Sequence, residues 1–273
     1  LIIFQINGMI FYSAFESSYL WLPLIGFIVG FFGALIGGGG GFFFLPVLIL
    51  FFNVPAQVAV PTSLAATVPI CLAGSYGHYR KNNLDMKIGL IFMVAGIFGA
   101  MSGATVTSLV TEVQLKISFG VYSIILALQM LYNLYKEKRA GKEGESLKPL
   151  SRRERNVRGV SYGFLSGVIT GTFGTSGIAP VMAGMFAMRM PLRLVIGTSL
   201  LVIFGNTFAA LGAHFMVGRI DLSLVLFLTA GTVAGALLGP HFLSGVKVES
   251  AEGAVRGWYA AGMILFGIFM IVA

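Results

Sequence analysis

Long apolar runs alternate with short polar punctuation along the chain, and that rhythm sets its predicted elements. Apolar stretches at 56–79, 88–109, 114–135, 192–217, 222–243 and 254–273 approach or exceed the ~18–20 residues with which a helix crosses a bilayer. Two further apolar stretches are broken by glycine. "GALIGGGGGFFFLPV", Gly33 to Val47, carries five consecutive glycines, and "GVITGTFGTSGIAPV", Gly167 to Val181, carries a Gly-Thr-Ser-Gly interruption. Each interior glycine costs a helix about 1 kcal/mol relative to alanine. Each stretch is therefore predicted as two half-helices: 20–36 then 42–53, and 158–173 then 178–189. The segment 1–15 is also apolar and reads as a short or partial span.

The pattern is written twice. Laid over each other without a gap, the two glycine stretches match Gly33, Gly37, Gly40, Pro46 and Val47 to Gly167, Gly171, Gly174, Pro180 and Val181. After two inserted residues, "PAQVAVPTSL" (55–64) falls on "PLRLVIGTSL" (191–200). That register pairs Thr62-Ser63-Leu64 with Thr198-Ser199-Leu200, His78 with His214, Asp85 with Asp221, Gly99 with Gly235 and Gly103 with Gly239. The chain thus divides into an N-terminal repeat, 1–135 (1–15 being the extra segment), a basic linker, 136–157, and a C-terminal repeat, 158–273. The predicted fold is an all-α polytopic membrane protein of two four-segment repeats, each opening with a glycine-broken helix.

Composition agrees. Of 273 residues, 57% are hydrophobic and only 10% charged, against about 25% charged in soluble domains. The net charge of +8 does not indicate a nucleic-acid partner, because nine of the 18 Lys and Arg lie between Lys136 and Arg158. Such clusters mark cytoplasmic loops. Leu1–Phe15 lacks a basic start and a small-residue cleavage site, so no cleavable signal is expected there, and residues are expected ahead of Leu1. With the linker inside, Arg80, Lys81 and Lys87 are inside too. Broken elements that dip and return would invert the halves and keep Arg189, Arg193, Lys247 and Arg256 inside. Elements that cross fully would make the halves parallel and put those four outside. Charge bias favours inversion, with Ala273 outside.

Unpaired backbone groups cannot face lipid, so a break is buried in protein or lines a watery cavity. The half-helices starting at Phe42 and near Ile178 would offer free N–H groups and the positive end of a helix dipole. Two such ends directed at one centre make an anion site without a buried cation. The candidate substrate-binding residues are Gly38, Gly39, Gly40, Gly41, Phe42, Thr62, Ser63, Gly174, Thr175, Ser176, Gly177, Thr198, Ser199 and Asn206. Thr67, Thr170 and Thr172 lie close by in sequence. Valine at Gly40 or Gly174 is expected to harm binding more than folding. Asp85 and Asp221 are expected as helix N-caps, and Gly99, Gly103, Gly235 and Gly239 as packing positions. His78 and His214 read as structural rather than proton-carrying. Cys71 reads as a small buried hydrophobe. No cofactor, metal centre or enzymatic activity is expected, since mid-span positions offer no paired carboxylates.

A glycine-rich break followed by an apolar run and proline, then "P-x(6)-TSL", repeated in two halves, resembles the sulfite exporter family TauE/SafE. The resemblance covers about 20–135 and 158–273. It implies a secondary carrier of a small sulfur-containing anion such as sulfite, thiosulfate, sulfoacetate or another organosulfonate. Gly174-Thr175-Ser176-Gly177 departs from the glycine-richer second break frequent in that family. The combined reading is an exporter in a bacterial-type inner membrane, working by alternating access among membrane lipid and driven by a proton or sodium gradient or by the substrate's own gradient. The alternatives are an anion channel or a carrier of a small carboxylate.

Overall fold

The computed structural model describes residues 10–36, 41–140, 151–216, 219–243 and 248–272. After a two-residue strand β1, Ile10–Phe11, and a 3-10 turn at Ser17–Trp21, the described residues form ten α-helices. Those of the first half are α1 Leu22–Ile36, α2 Gly41–Phe52, α3 Ala56–Arg80, α4 Met86–Leu109 and α5 Glu112–Ala140. Those of the second are α6 Arg152–Phe173, α7 Ile178–Ala187, α8 Leu192–His214, α9 Leu222–Leu243 and α10 Val248–Val272, with strand β2, Ile220–Asp221, ahead of α9. Four of them, α3, α4, α8 and the Glu112–Tyr135 part of α5, are long and apolar enough to cross a membrane. The chain is an all-α membrane protein.

The second glycine stretch interrupts its helix as the sequence predicts, between Phe173 and Ile178, and at the first stretch α1 is described to Ile36 and α2 from Gly41. Gly37–Gly40 lie outside the described residues. Helix reaches into the basic linker from both ends, through Ala140 in α5 and from Arg152 in α6. Lys, Glu and Arg are good helix formers, and Ser151 with Glu154 makes a reciprocal capping box at the start of α6. The described part of the 1–15 segment is not helical. Ile10–Phe11 pairs in parallel with Ile220–Asp221, and the Ser13 N–H donates to Asp221 Oδ1 at 3.3 Å.

Each broken element doubles back. Arg158, early in α6, donates to the Ala187 carbonyl at the end of α7 at 2.6 Å. Tyr19, just before α1, meets Phe52 at the end of α2 with ring centroids 6.1 Å apart. The bundle has a linker end, where α5 finishes and α6 begins, and an opposite far end.

Helices α3 and α8 pack side by side at the centre and run antiparallel. Near the start of α3, Thr62 Oγ1 accepts the Asp221 N–H at 3.2 Å. Near the start of α8, Thr198 Oγ1 accepts the Asp85 N–H at 2.9 Å. Asp85 and Asp221 serve as N-caps, accepting from Ile88 N–H at 3.1 Å and from Ser223 N–H at 3.0 Å. Contacts are exchanged reciprocally between the halves. Helix α4 lies along α6, and α9 lies along α1.

Those two long contacts rest on small residues, as membrane helix packing requires when lipid is as apolar as the side chains. A Cβ on Gly99 or Gly103 would strike backbone atoms of α6 at Phe164, Val168 and Thr172. One on Gly235 would strike α1 at Phe27 and Phe31. Polar side chains are held within an otherwise apolar core, and large apolar ones cover the outside. Thr62, Ser63, Ser166, Thr170, Thr198 and Asn206 are fully buried, whereas Val94, Phe98, Leu128, Phe208 and Leu226 face outward.

Overpacking a core costs about 1–3 kcal/mol, sometimes more, and at these positions it is backbone that would have to move. Gly103→Val and Gly167→Val should therefore abolish recovery of monodisperse protein on size exclusion. Gly77→Ala, where an added Cβ meets nothing within 4 Å, should behave as wild type.

Candidate functional site

A helix end leaves backbone carbonyls and N–H groups without partners, and here the second break provides them from packed side chains. Gly174 ends α6 in the left-handed conformation, φ 63°, with its N–H on the Thr170 carbonyl. Its own carbonyl accepts from Ser63 Oγ of α3 at 2.6 Å. Thr107 Oγ1 of α4 donates to the Thr172 carbonyl at 2.8 Å. His214 Nε2 lies 2.7 Å from the Gly171 carbonyl. Because a carbonyl only accepts, that nitrogen carries the proton.

Beyond the break, Gly177 N–H donates to Thr170 Oγ1 at 3.0 Å, and Ser166 Oγ donates to the Gly177 carbonyl at 2.7 Å. Asn206 Nδ2 of α8 holds Ser166 Oγ at 3.1 Å. The break is thus braced on both sides by α3, α4, α6 and α8.

Two hydroxyls in the same turn are left over. Thr175 Oγ1 and Ser176 Oγ are each buried in residues 1% exposed, and neither has a hydrogen-bond partner. Asn206 Oδ1 and Thr207 Oγ1 are likewise buried without one. Buried polar groups without partners are uncommon and call for a reason.

The two breaks meet at this point. A Cβ placed on Gly41, the first residue of α2, would lie 2.6 Å from Thr67 Oγ1 and 3.2 Å from the Ser176 backbone nitrogen. Phe42 and Ser176, which occupy aligned positions in the two glycine stretches, both line one cavity of about 170 Å³. Its wall is largely apolar, with Leu126 and Met130 of α5, Met182 and Phe186 of α7, and Met263 of α10. Gln129 and Asn133 add amide groups toward the linker end, and among the described residues no charged side chain takes part. The starting residues of α7, Ile178 and Ala179, also line it. Phe42 is held by Phe119 at 5.3 Å between centroids, and Phe119 in turn by Phe173 at 5.7 Å.

The sequence-derived candidates thus fall into distinct places. Gly41, Phe42, Thr175, Ser176 and Gly177 come together where the breaks meet. Gly38, Gly39 and Gly40 lie outside the described residues. Thr62 and Thr198 hold the loops before α9 and α4. Ser63, Gly174 and Asn206 brace the break itself, and Ser199 Oγ donates within its own helix to the Ile196 carbonyl at 2.9 Å. Ser166 and Thr107 had not been singled out. Phe32 and Leu243 stand at the aligned positions of the other half, so the repeat could not draw attention to them. Among the described residues, no cluster of His, Cys, Asp or Glu could hold a metal ion.

A helical membrane bundle with paired, doubled-back half-helices and a cavity at their junction is an arrangement suited to transport. The profile of the sulfite exporters TauE/SafE matches residues 22–270. The chain belongs to the TauE/SafE family. This TauE/SafE member is 30% identical over 220 residues to YdhB, a probable membrane transporter protein of Bacillus subtilis, covering 80% of this chain and 86% of that one. It is 27% identical over 239 residues to YunE of the same organism, with 81% and 87% covered. A probable membrane transporter protein of Methanocaldococcus jannaschii is 26% identical over 233 residues, with 80% and 84% covered. No solved structure matches this TauE/SafE member.

Bracing and spare hydroxyls should separate by mutation. Ser63→Ala leaves the buried Gly174 carbonyl without its donor and should cost about 1–3 kcal/mol, lowering the thermal midpoint in detergent. Ser176→Ala removes a hydroxyl that bonds to nothing and should leave that midpoint unchanged. Gly174→Val should destabilise strongly, against the sequence-based expectation that binding would suffer more than folding. Its φ is left-handed, and its Cβ would lie 2.5 Å from the Val60 carbonyl oxygen.

Proposed function

We propose that this membrane transporter is a secondary exporter of a small sulfur-containing anion, an organosulfonate such as sulfoacetate in preference to bare sulfite or thiosulfate. The observation that carries the reading is the pair of buried, unpartnered hydroxyls, Thr175 and Ser176, where the two breaks meet beside the first turns of α2 and α7. Hydroxyls and helix N-termini offer donors and positive partial charge to an oxyanion without a cation. The absence of charge from the lining favours release as well as capture. An apolar wall of Leu126, Met130, Met182 and Phe186 favours a substrate with a carbon skeleton behind its anionic head.

In this reading Gly38–Gly41, Phe42 and Gly174–Gly177 supply backbone contact, and Thr175 and Ser176 supply hydroxyls. Thr62, Ser63, Thr198, Ser199 and Asn206 frame the site. The halves are inverted repeats. Support comes from the antiparallel pairing of α3 with α8 and from the exchange that sets Thr62 on Asp221 and Thr198 on Asp85. Such pseudo-twofold construction suits alternating access in a bacterial-type inner membrane, driven by a proton or sodium gradient or by the substrate's own gradient.

Purified protein in vesicles should exchange external for internal labelled sulfoacetate. Ser176→Ala should weaken substrate-induced thermal stabilisation by about 0.5–1.5 kcal/mol, the worth of one ordinary hydrogen bond. Absence of stabilisation by any of sulfoacetate, taurine, sulfite and thiosulfate would refute the substrate class. A current of channel size would replace the carrier by an anion channel, and a response to simple carboxylates alone would make it a carboxylate carrier.

The inverted arrangement has its own check. A reporter fused after Ala273 and active only in the cytoplasm should be silent, whereas one inserted at Lys142 should be active. An active C-terminal reporter would return the halves to parallel.

A further inference from the structure

We propose that the linker end carries a second, separate site, for a phosphate ester, whose occupant is the headgroup of an anionic phospholipid in the adjoining leaflet. The starts of α4 and α6 and the residue after α7 enclose a cavity of about 600 Å³. Three cations line it: Lys87 from α4, and Arg152 and Arg155 from α6. No carboxylate does, and none of the three cations is ion-paired among the described residues. Glu154, between the two arginines of α6 in sequence, is turned away to accept the Ser151 N–H at 2.8 Å. Asn156 adds an amide.

The rest of the lining is apolar: Ile88, Ile91, Phe92 and Met188, with Gly159 beside them. A Cβ on Gly159 would lie 2.8 Å from Ile91 Cγ2, so any larger residue there would crowd this wall. Guanidinium forks match the geometry of phosphate oxygens, and the three positive charges account for the anionic part of a ligand. Ile88 and Phe92 are buried at the back of this wall, and a free inorganic ion would leave the half-buried Ile91 and Met188 in front of them wet. The glycerol and first acyl carbons of a lipid would cover them.

The helices continue that surface in the direction an acyl chain would take. Leu90 and Val94 on α4, and Val160 and Phe164 on α6, are exposed one or two turns further along. Basic residues at this end also lie where the leaflet is most negative, on the cytoplasmic side that the linker charge designates. The site shares no lining residue with the cavity at the breaks and does not depend on what that cavity transports.

The test uses the full chain in neutral detergent, titrated with dihexanoyl phosphatidylglycerol, dihexanoyl phosphatidylcholine and glycerol phosphate, with native mass spectrometry and thermal unfolding as readouts. Phosphatidylglycerol should bind and stabilise, and the other two should not. Arg152→Gln/Arg155→Gln should weaken that binding roughly thirtyfold, from ~1 kcal/mol per basic residue. Arg80→Gln/Arg193→Gln, which removes equal charge from the same end outside the cavity, should bind as wild type. Equal binding of the two lipids, or equal loss in both double variants, would overturn the site. Glycerol phosphate binding as tightly as phosphatidylglycerol would overturn the lipid as occupant. Because Ser151 and Glu154 are untouched, the cap of α6 survives in the test variant, and its unliganded thermal midpoint should confirm that it folds.

Discussion

A helix broken inside a membrane leaves backbone groups that lipid cannot satisfy, and the rest of this molecule is arranged around that constraint. Each orphaned group would cost several kcal/mol in hydrocarbon. At the second break the carbonyls of Gly171, Thr172 and Gly174 find His214, Thr107 and Ser63, and Gly177 finds Thr170 and Ser166. This explains an interior rich in serine and threonine beneath an apolar surface. It also gives His214 a fixed task as a donor, with no need to invoke proton traffic.

Because the donors come from helices of both halves, the break cannot move alone. Ser63 belongs to α3 and Thr107 to α4, whereas the carbonyls they satisfy, Gly174 and Thr172, lie at the end of α6 in the other half. Any opening that shifts the second broken element against the first half must exchange these bonds or carry those helices along. The same holds for the threonine–aspartate contacts at the two ends of the bundle, Thr62 with Asp221 and Thr198 with Asp85. A set of discrete, directional bonds of this kind has a few alternative arrangements rather than a continuum.

The halves are alike in outline and unlike in chemistry. Ser166 and Asn206 brace the second break, but Phe32 and Ile70 occupy the aligned positions of the first half. Phe42 aligns with Ser176, so one cavity receives an aromatic ring from one break and a hydroxyl from the other. The cavity therefore has an apolar side and a donating side.

Sequence by itself determined the elements and their order. Apolar runs long enough to span, glycine runs that no helix tolerates, and aspartates just ahead of apolar runs are local signals, and the helices and both N-caps lie where those signals put them. The matched residues at one spacing were equally legible, because they need no knowledge of packing. What only the tertiary structure decided is which hydroxyls are occupied. Thr62, Ser63, Thr175, Ser176 and Thr198 are the same kind of group in a sequence, and a hydrogen bond depends on what a distant helix brings to within about 3 Å. Ser63 meets Gly174 across the two halves and is satisfied, whereas Ser176 meets a cavity and is not. That difference is set by the crossing of α3 against the broken element, a long-range contact that no local pattern encodes.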